Sequence, residues 1–135
     1  MNQQAPHTIR DIMSRDCYRV SPSTSITNLA QGLALHRLPG APVVDASDRL
    51  IGFISEQDVL GRVLDCLYHD HETPLVGEMM RHEVLTTTPN KSITDLAQEM
   101  LGKKPKVYPV VEQLRLVGIV TRRDILIALL KIRCH

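Results

Sequence analysis

Two stretches of the chain share a pattern of residues that could bind a ligand: Gly, two apolar residues, Ser or Thr, two variable residues and Asp. The pattern occupies residues 52–58 and again residues 118–124. It suits a junction from strand to helix, where free backbone amides and the helix dipole attract an anion such as phosphate. The hydroxyl can donate to the same ligand, the carboxylate can accept from a sugar diol, and the glycine allows close approach. The candidate residues are Gly52, Ser55, Asp58, Gly118, Thr121 and Asp124.

Helix capping explains the same residues without any ligand. A Ser or Thr followed three residues later by Asp resembles a capping box, in which both residues satisfy the free groups at a helix start. The two interpretations use one geometry, so at this stage both stay open.

The pattern belongs to a longer internal repeat. The matched stretches are 22–31 with 89–98 and 42–44 with 109–111, both 67 positions apart, and 49–60 with 115–126, 66 positions apart. The change of offset means that one residue is lost in the turn of the second copy. Self-similarity at a fixed period indicates two copies of one supersecondary unit, so it predicts two equivalent sites related by a pseudo-twofold axis.

Each copy is predicted to fold as strand, helix, strand, strand, helix. The first helix follows an N-cap serine, Ser25 or Ser92, because apolar residues come next at helical spacing. Those apolar residues are Ile26, Leu29, Ala30 and Leu33 in copy one and Ile93, Leu96, Ala97 and Met100 in copy two. The return strands at 50–54 and 116–120 are apolar enough to predict the buried middle of a sheet.

Composition limits the classes of function. A chain of 135 residues is the size of one domain, and two small copies would be marginal alone, which predicts a common core. The net charge of +1 gives no electrostatic argument for nucleic acid or an anionic membrane. No apolar run is long enough for a membrane helix and no signal peptide is visible, so we expect a cytoplasmic protein with reduced cysteines.

The predicted organisation is a flexible tail at 1–8, copy one at 9–65, a linker at 66–77 and copy two at 78–133. The last helix of copy two is apolar on nearly all sides between residues 125 and 132. Such a helix must be covered on two faces, which predicts a subunit interface on one of them.

In their order, the repeated features resemble a tandem pair of CBS domains, also called a Bateman module, over about residues 12–132. The features are Ile12-Met13 and Met79-Met80, Ser21-Pro22 and Thr88-Pro89, the Ser-Ile-Thr helix starts, Pro-Val-Val, and the Gly-to-Asp pattern. The resemblance implies an α/β (α+β) fold of two β-α-β-β-α CBS repeats packed through their sheets. It also implies adenosyl ligands, AMP, ADP, ATP or S-adenosylmethionine, bound in the two clefts between the copies.

The resemblance also implies roles for individual residues. In similar modules the aspartate holds the ribose hydroxyls and the Ser or Thr contacts ribose or phosphate, while the base lies against the other copy. The aspartates here are Asp58 and Asp124, and the hydroxyl residues are Ser55 and Thr121. The base contacts implied are Ser21, Leu38 and Gly40 for the Asp124 cleft, and Thr88, Pro105 and Val107 for the Asp58 cleft.

The two predicted sites differ in charge. Copy one has Glu56-Gln57 beside the motif, whereas copy two has Arg122-Arg123 and a nearby lysine cluster that ends at Lys106. Arginine and lysine favour phosphate and glutamate repels it, so we expect the Asp124 cleft to be the better nucleotide site. The alternative is that both arginines are solvated residues at a helix start.

No catalytic set is repeated, so the predicted function is a non-enzymatic sensor that acts as a homodimer on an unidentified regulated protein. One alternative is a ligand-free dimerisation scaffold that regulates a partner protein. Another is a metal-dependent protein, although Cys66, His69, His71 and Glu72 lack the paired spacing of zinc sites. Tyr18 and Tyr108 are expected in the core or a cleft wall rather than as catalytic acids.

Overall fold

The computed structural model describes residues 6–69 and 72–133, which belong to two compact units. The central unit is Tyr18–Val84, and the terminal unit combines Met1–Cys17 with Leu85–His135. The segment that leads into each sequence copy therefore belongs to the unit that holds the hairpin of the other copy. Residues 1–5 of the predicted tail lie outside the described residues, whereas His7 and Thr8 are tied to the terminal unit through Ile93 and Ser92.

The described residues of the central unit form three helices and one hairpin. Its elements are α1 (Ile26–His36), β1 (Gly40–Val44), β2 (Leu50–Ser55), α2 (Glu56–His69) and α3 (Val76–Met79). The predicted N-cap of α1 is confirmed, because the Ser25 hydroxyl accepts the backbone N–H of Asn28 at 3.1 Å. The helix ends at Arg37, which adopts a left-handed conformation with φ of 54°.

The terminal unit repeats this order after a short 3₁₀ helix at Ile9–Asp11. Its elements are α4 (Ile93–Glu99), β3 (Val107–Glu112), β4 (Arg115–Thr121) and α5 (Arg122–Arg133). The N-cap of α4 is also confirmed, since the Ser92 hydroxyl accepts the N–H of Asp95 at 3.1 Å. This helix is four residues shorter than α1, and Gly102 lies beyond its end with φ of +81°, a conformation that glycine adopts without strain.

Both hairpins have the same register. β1 pairs antiparallel with β2 and β3 with β4, and each ladder shifts at one irregularity, between Val43 and Val44 or between Val110 and Val111. In the tighter turn of the second hairpin, Gln113 and Leu114 both have positive φ. In the longer turn of the first hairpin, only Asp48 does. One residue fewer in the turn therefore changes the loop and leaves the ladder intact.

Each hairpin is bridged on both sides by single residues. On one side Val20 pairs parallel with Val43, and Thr87 pairs parallel with Val110. On the other side the leading segments pair antiparallel with the return strands, Arg81 with Phe53 and Ser14 with Ile119. The return strands thus lie between two neighbours, as their apolar sequences predict.

Each unit has its own cluster of buried residues. The core common to both copies, which the composition argument predicted, stays a prediction. The central cluster is Val20, Ile26, Leu29, Leu33, Ala41, Val43, Ile54, Val59 and Val76. The terminal cluster is Ile9, Met13, Ile93, Leu96, Met100, Tyr108, Val110, Val120, Ile125 and Ala128. The apolar faces predicted for α1 and α4 are buried except for Ala30, which is exposed, and Ala97, which is half-buried.

Apolar side chains are exposed on the second helix of both copies. In α5, Ile125 and Ala128 are buried while Leu126, Ile127 and Leu130 are exposed. In α2 the exposed apolar residues are Leu60, Leu64, Leu67 and Tyr68. None of the helices within residues 6–69 and 72–133 is long and apolar enough to cross a membrane.

Candidate functional site

The motif of copy one lies where β2 gives way to α2. Ser55 ends the strand, and its hydroxyl accepts the backbone N–H of Asp58 at 3.1 Å. The N–H of Glu56, the first helical residue, donates to the carbonyl of Pro39 at 2.9 Å. Because Gly40 pairs with Ser55 in the ladder, the start of β1 and the start of α2 are held side by side.

The motif of copy two forms a reciprocal capping box. The Thr121 hydroxyl accepts the N–H of Asp124 at 3.1 Å, and the Thr121 N–H donates to Asp124 Oδ2 at 2.9 Å. The N–H of Arg122 donates to the carbonyl of Lys106 at 2.9 Å, and Val107 pairs with Thr121. The capping interpretation is therefore confirmed, and it leaves Asp124 Oδ1 beyond the box.

Asp58 is engaged differently from Asp124. Arg81 donates to both of its carboxylate oxygens, from Nε at 3.0 Å and from Nη2 at 2.7 Å. Burial acts to raise the pKa of Asp58, but the hydrogen bonds from Arg81 and Ser55 and the charge of Arg81 outweigh it and lower that pKa. Among residues 6–69 and 72–133, no salt bridge joins a basic side chain to Asp124.

The motif glycines are explained by the chain's own backbone. A Cβ atom at Gly52 would lie 2.8 Å from the Arg81 carbonyl oxygen, and one at Gly118 would lie 2.7 Å from the Ser14 carbonyl oxygen. The close approach that the sequence predicted for a ligand is made here by the leading segments. Both glycines therefore position the motif by letting a neighbouring segment bridge the return strand.

The other predicted site residues are distributed over both units. Ser21 and Leu38 are half-buried and Gly40 is buried in the central unit, while in the terminal unit Val107 is buried and the remaining residues are exposed. Those exposed residues are Thr88, Pro105, Lys106, Arg122 and Arg123. Gly40 is brought next to Ser55, and Val107 next to Thr121, within one unit each. The pairing of base contacts with the aspartate of the other copy stays a prediction.

The charge difference at the two helix starts agrees with the sequence. Arg122 and Arg123 are exposed at the start of α5, and Glu56 and Gln57 are exposed at the start of α2. Within the described part of the chain, neither arginine forms a salt bridge with a carboxylate. Both guanidinium groups are therefore accessible to an anionic ligand.

Comparison with protein families matches the CBS domain at residues 9–65 and again at residues 76–131. The chain belongs to the CBS-domain family. It carries two CBS domains in tandem, as the repeated residues predict, and the mixed helix and strand architecture is that of a CBS pair.

Relatives and solved structures are similar over most of the chain. CBSX2 of Arabidopsis thaliana, solved in complex with AMP, is 29% identical with a TM-score of 0.82 over 95% of this chain and 99% of that one. The CBS domain pair of protein MJ0100, solved with 5′-methylthioadenosine and S-adenosyl-L-methionine, is 28% identical with a TM-score of 0.74 over 90% and 94%. Hypoxic response protein 1 of Mycobacterium tuberculosis is 31% identical over 87% of this chain and 82% of its own length. Its solved structure holds two coordinated zinc ions.

Some relatives are longer proteins. The Methanocaldococcus jannaschii protein MJ1225 is 28% identical over 86% of this chain, and the matched region is 40% of its length. A similar CBS pair is thus only part of that relative.

Three of the four residues considered as metal ligands lie in the described part of the chain. Cys66 is buried, and its thiol donates to the Glu72 carbonyl at 3.5 Å, while the exposed His69 ring contacts the Asp65 carboxylate. His71 lies outside the described residues, and in the rest no three His, Cys, Asp or Glu side chains group in a way that could hold a metal.

Tyr18 and Tyr108, the two tyrosines considered as catalytic acids, each pack within their own unit. Tyr18 stacks on His36 with ring centroids 4.8 Å apart, and Tyr108 is buried in the terminal cluster. Burial raises the pKa of both phenols, with the charge of Glu99 as a second cause for Tyr108. Both therefore act as packing residues.

Sequence reasoning missed Arg81 altogether. Arg81 lies 23 positions after Asp58, outside the repeated motif, and only the fold brings the two together. A signal was nevertheless present: Ile12-Met13-Ser14 and Met79-Met80-Arg81 align in the repeat, and arginine stands in copy two where copy one has serine.

Proposed function

We propose that this CBS pair is a non-enzymatic sensor that binds an adenosyl ligand, AMP, ADP, ATP or S-adenosylmethionine, and regulates a partner protein. The observation that carries the proposal is the duplicated junction at which a helix start, a hydroxyl and a carboxylate converge. A helix start attracts a phosphate or carboxylate group, and an aspartate can accept hydrogen bonds from both ribose hydroxyls. The AMP complex of CBSX2 and the S-adenosyl-L-methionine complex of MJ0100 support this class of ligand.

The Asp124 site is proposed as the stronger of the two. Asp124 would accept from the ribose while Thr121 donates to ribose or phosphate. Arg122, Arg123 and Lys106 are exposed around the start of α5, where they would pair with phosphate. Gly52 and Gly118 enter the proposal as positioning residues, because they allow the leading segments to bridge the return strands.

Titration calorimetry with each of the four ligands tests the proposal. Asp124→Ala should weaken binding by at least about tenfold, since a hydrogen bond to a charged group contributes about 1.5–3 kcal/mol. Asp58→Ala should weaken it less. Asp95→Ala is the matched control, because Asp95 occupies the same position of a serine-capped helix outside the motif. Greater loss from Asp58→Ala would reverse the ranking.

Thermal shift gives an independent readout for the same ligands. A ligand at 100 times its Kd stabilises the folded protein by about 2.7 kcal/mol, which raises the melting temperature. If nucleotide-free protein shows no shift in melting temperature with any adenosyl compound, the proposed sensor function is wrong. A zinc arm belongs in the same screen, because the similar hypoxic response protein 1 holds two zinc ions.

A dimerisation scaffold is the second candidate, and the exposed apolar residues of α2 and α5 favour it. Leu60, Leu64 and Leu67 on α2, and Leu126 and Leu130 on α5, expose apolar surface that association of two copies would cover. Light scattering with and without ligand separates the two candidates. A homodimer whose mass and shape are unchanged by every adenosyl ligand would support the scaffold.

A further inference from the structure

Arg81 and Ser14 occupy equivalent positions of the two units. The Arg81 N–H donates to Phe53 O at 2.8 Å, and the Phe53 N–H donates back to Arg81 O at 2.9 Å. The Ser14 N–H donates to Ile119 O at 2.8 Å, and the Ile119 N–H donates back to Ser14 O at 3.0 Å. The backbone hydrogen bonds at these two positions match. The units therefore differ here only in the side chain, which is arginine in one and serine in the other.

The Arg81 side chain covers the carboxylate that the ligand would need. Both oxygens of Asp58 accept from Arg81 in a two-point contact, at 3.0 and 2.7 Å. The Asp58 side chain is only 17% exposed, while the Arg81 side chain is 68% exposed. The aspartate is fixed by the motif, and the arginine is held over it mainly by this contact.

We propose that Arg81 is an internal competitor for ribose at Asp58, so that the two CBS domains bind adenosyl ligands with unequal affinity. This inference rests on the proposed function. A ribose diol reaches the Asp58 carboxylate only after the guanidinium leaves, and the equivalent Ser14 presents no such cation to Asp124. The asymmetry is therefore built into the leading segments, in addition to the two variable residues inside each motif.

The size of the competition follows from the exposure of the arginine. Two neutral hydroxyl donors replace two charge-assisted donors, which lowers affinity, but the largely exposed guanidinium recovers water contacts when it leaves. We therefore expect the pair to weaken adenosine binding at Asp58 on the order of tenfold. A ligand that carries phosphate recovers part of this loss, because the released guanidinium can pair with it.

Titration calorimetry with adenosine, a neutral probe, tests the competition in chains of all 135 residues that keep a single aspartate site. In an Asp124→Ala background, Arg81→Ser copies the equivalent serine and should tighten adenosine binding about tenfold. In an Asp58→Ala background, Ser14→Arg should weaken adenosine binding by a similar factor. Arg81→Lys keeps the charge without the two-point contact and should give an intermediate affinity.

The outcomes separate this inference from the proposed function. Equal adenosine affinity with and without the Arg81→Ser substitution in the Asp124→Ala background would overturn the competition, even if the Asp124 site binds well. Absence of adenosine binding at the Asp58 site in both chains would overturn it too. If no chain, including the wild type, binds adenosine, AMP, ADP, ATP or S-adenosylmethionine, the proposed function is overturned together with this inference. Thermal melts of each variant show whether the fold is retained.

Discussion

Thr87 is a buried polar residue whose replacement should stabilise the protein. The residue is 4% exposed, and among the described residues its Oγ1 has no hydrogen-bond partner. The residue at the equivalent bridge of the other unit is Val20, which has nearly the same shape and no hydroxyl. Thr87→Val therefore replaces the unsatisfied oxygen by a methyl group that the equivalent site already accommodates.

The magnitude follows from the cost of an unsatisfied buried group. Leaving a buried hydroxyl without a partner costs about 1–3 kcal/mol, so Thr87→Val should recover an amount in that range. For 135 residues the entropy of unfolding is about 0.28 kcal/mol per kelvin. The melting temperature should consequently rise by about 4–11 °C.

Differential scanning calorimetry is the appropriate assay, because it resolves the two compact units if they melt separately. The rise should belong to the unit that contains Thr87. Val20→Thr is the matched control and should lower the melting temperature by a comparable amount. A melting temperature for Thr87→Val that is unchanged or lower would refute the reasoning, since it would mean that the hydroxyl is satisfied in solution.

Three further predictions concern packing, pH and assembly. Gly52→Ala and Gly118→Ala should each lower the free energy of unfolding by about 1–3 kcal/mol in denaturant titrations, because the new Cβ would meet a backbone carbonyl oxygen. Gly61→Ala is the control: nothing lies within 4 Å of its new Cβ, so it should raise the free energy of unfolding by about 0.5–1 kcal/mol. The pKa of Asp58 is lowered in the folded state, so the ionised carboxylate stabilises the fold. This contribution to stability is complete above the unfolded-state pKa of about 3.9 and is lost as pH falls through the folded-state pKa. Circular dichroism during acid titration should show Asp58→Asn lacking this part of the pH dependence. Leu126→Glu should convert the proposed homodimer to a monomer in light scattering, and an unchanged mass would exclude this part of α5 from the interface.

The elements that the sequence predicts are those set by local chemistry. Ser25 and Ser92 cap their helices because a serine hydroxyl can reach an amide three residues later, and this depends on nothing outside that turn. The same holds for Thr121 and Asp124. The repeat adds the equivalence of the two hairpins, because similar residues at a fixed offset adopt similar registers.

The features that sequence reasoning missed depend on contacts between distant residues. The space over Gly52 is filled by the Arg81 backbone, and no local rule distinguishes that use of a glycine from an approach by a ligand. The exposed apolar residues of α2 were not predicted, since Leu60 and Leu64 lie among polar residues that conceal the pattern. The contacts of Gly52 and the exposure of these leucines depend on the tertiary fold, and local sequence propensity does not predict them.

Because the chain contains two copies of one unit, comparing the copies distinguishes residues that the fold requires from residues that could differ for function. The glycine, the capping hydroxyl and the aspartate are retained in both copies because each has a structural reason to be there, in a bridge or at a helix start. Their retention alone therefore cannot show that both copies bind a ligand. Charged groups are among those that vary on this constant scaffold: copy two has Arg81 where copy one has Ser14, and Arg122 where copy one has Glu56. Under the proposed function, Arg81 would compete with ribose for the Asp58 carboxylate and Glu56 would repel phosphate, whereas Arg122 would attract phosphate beside Asp124. Two independent differences therefore favour one stronger site in each chain.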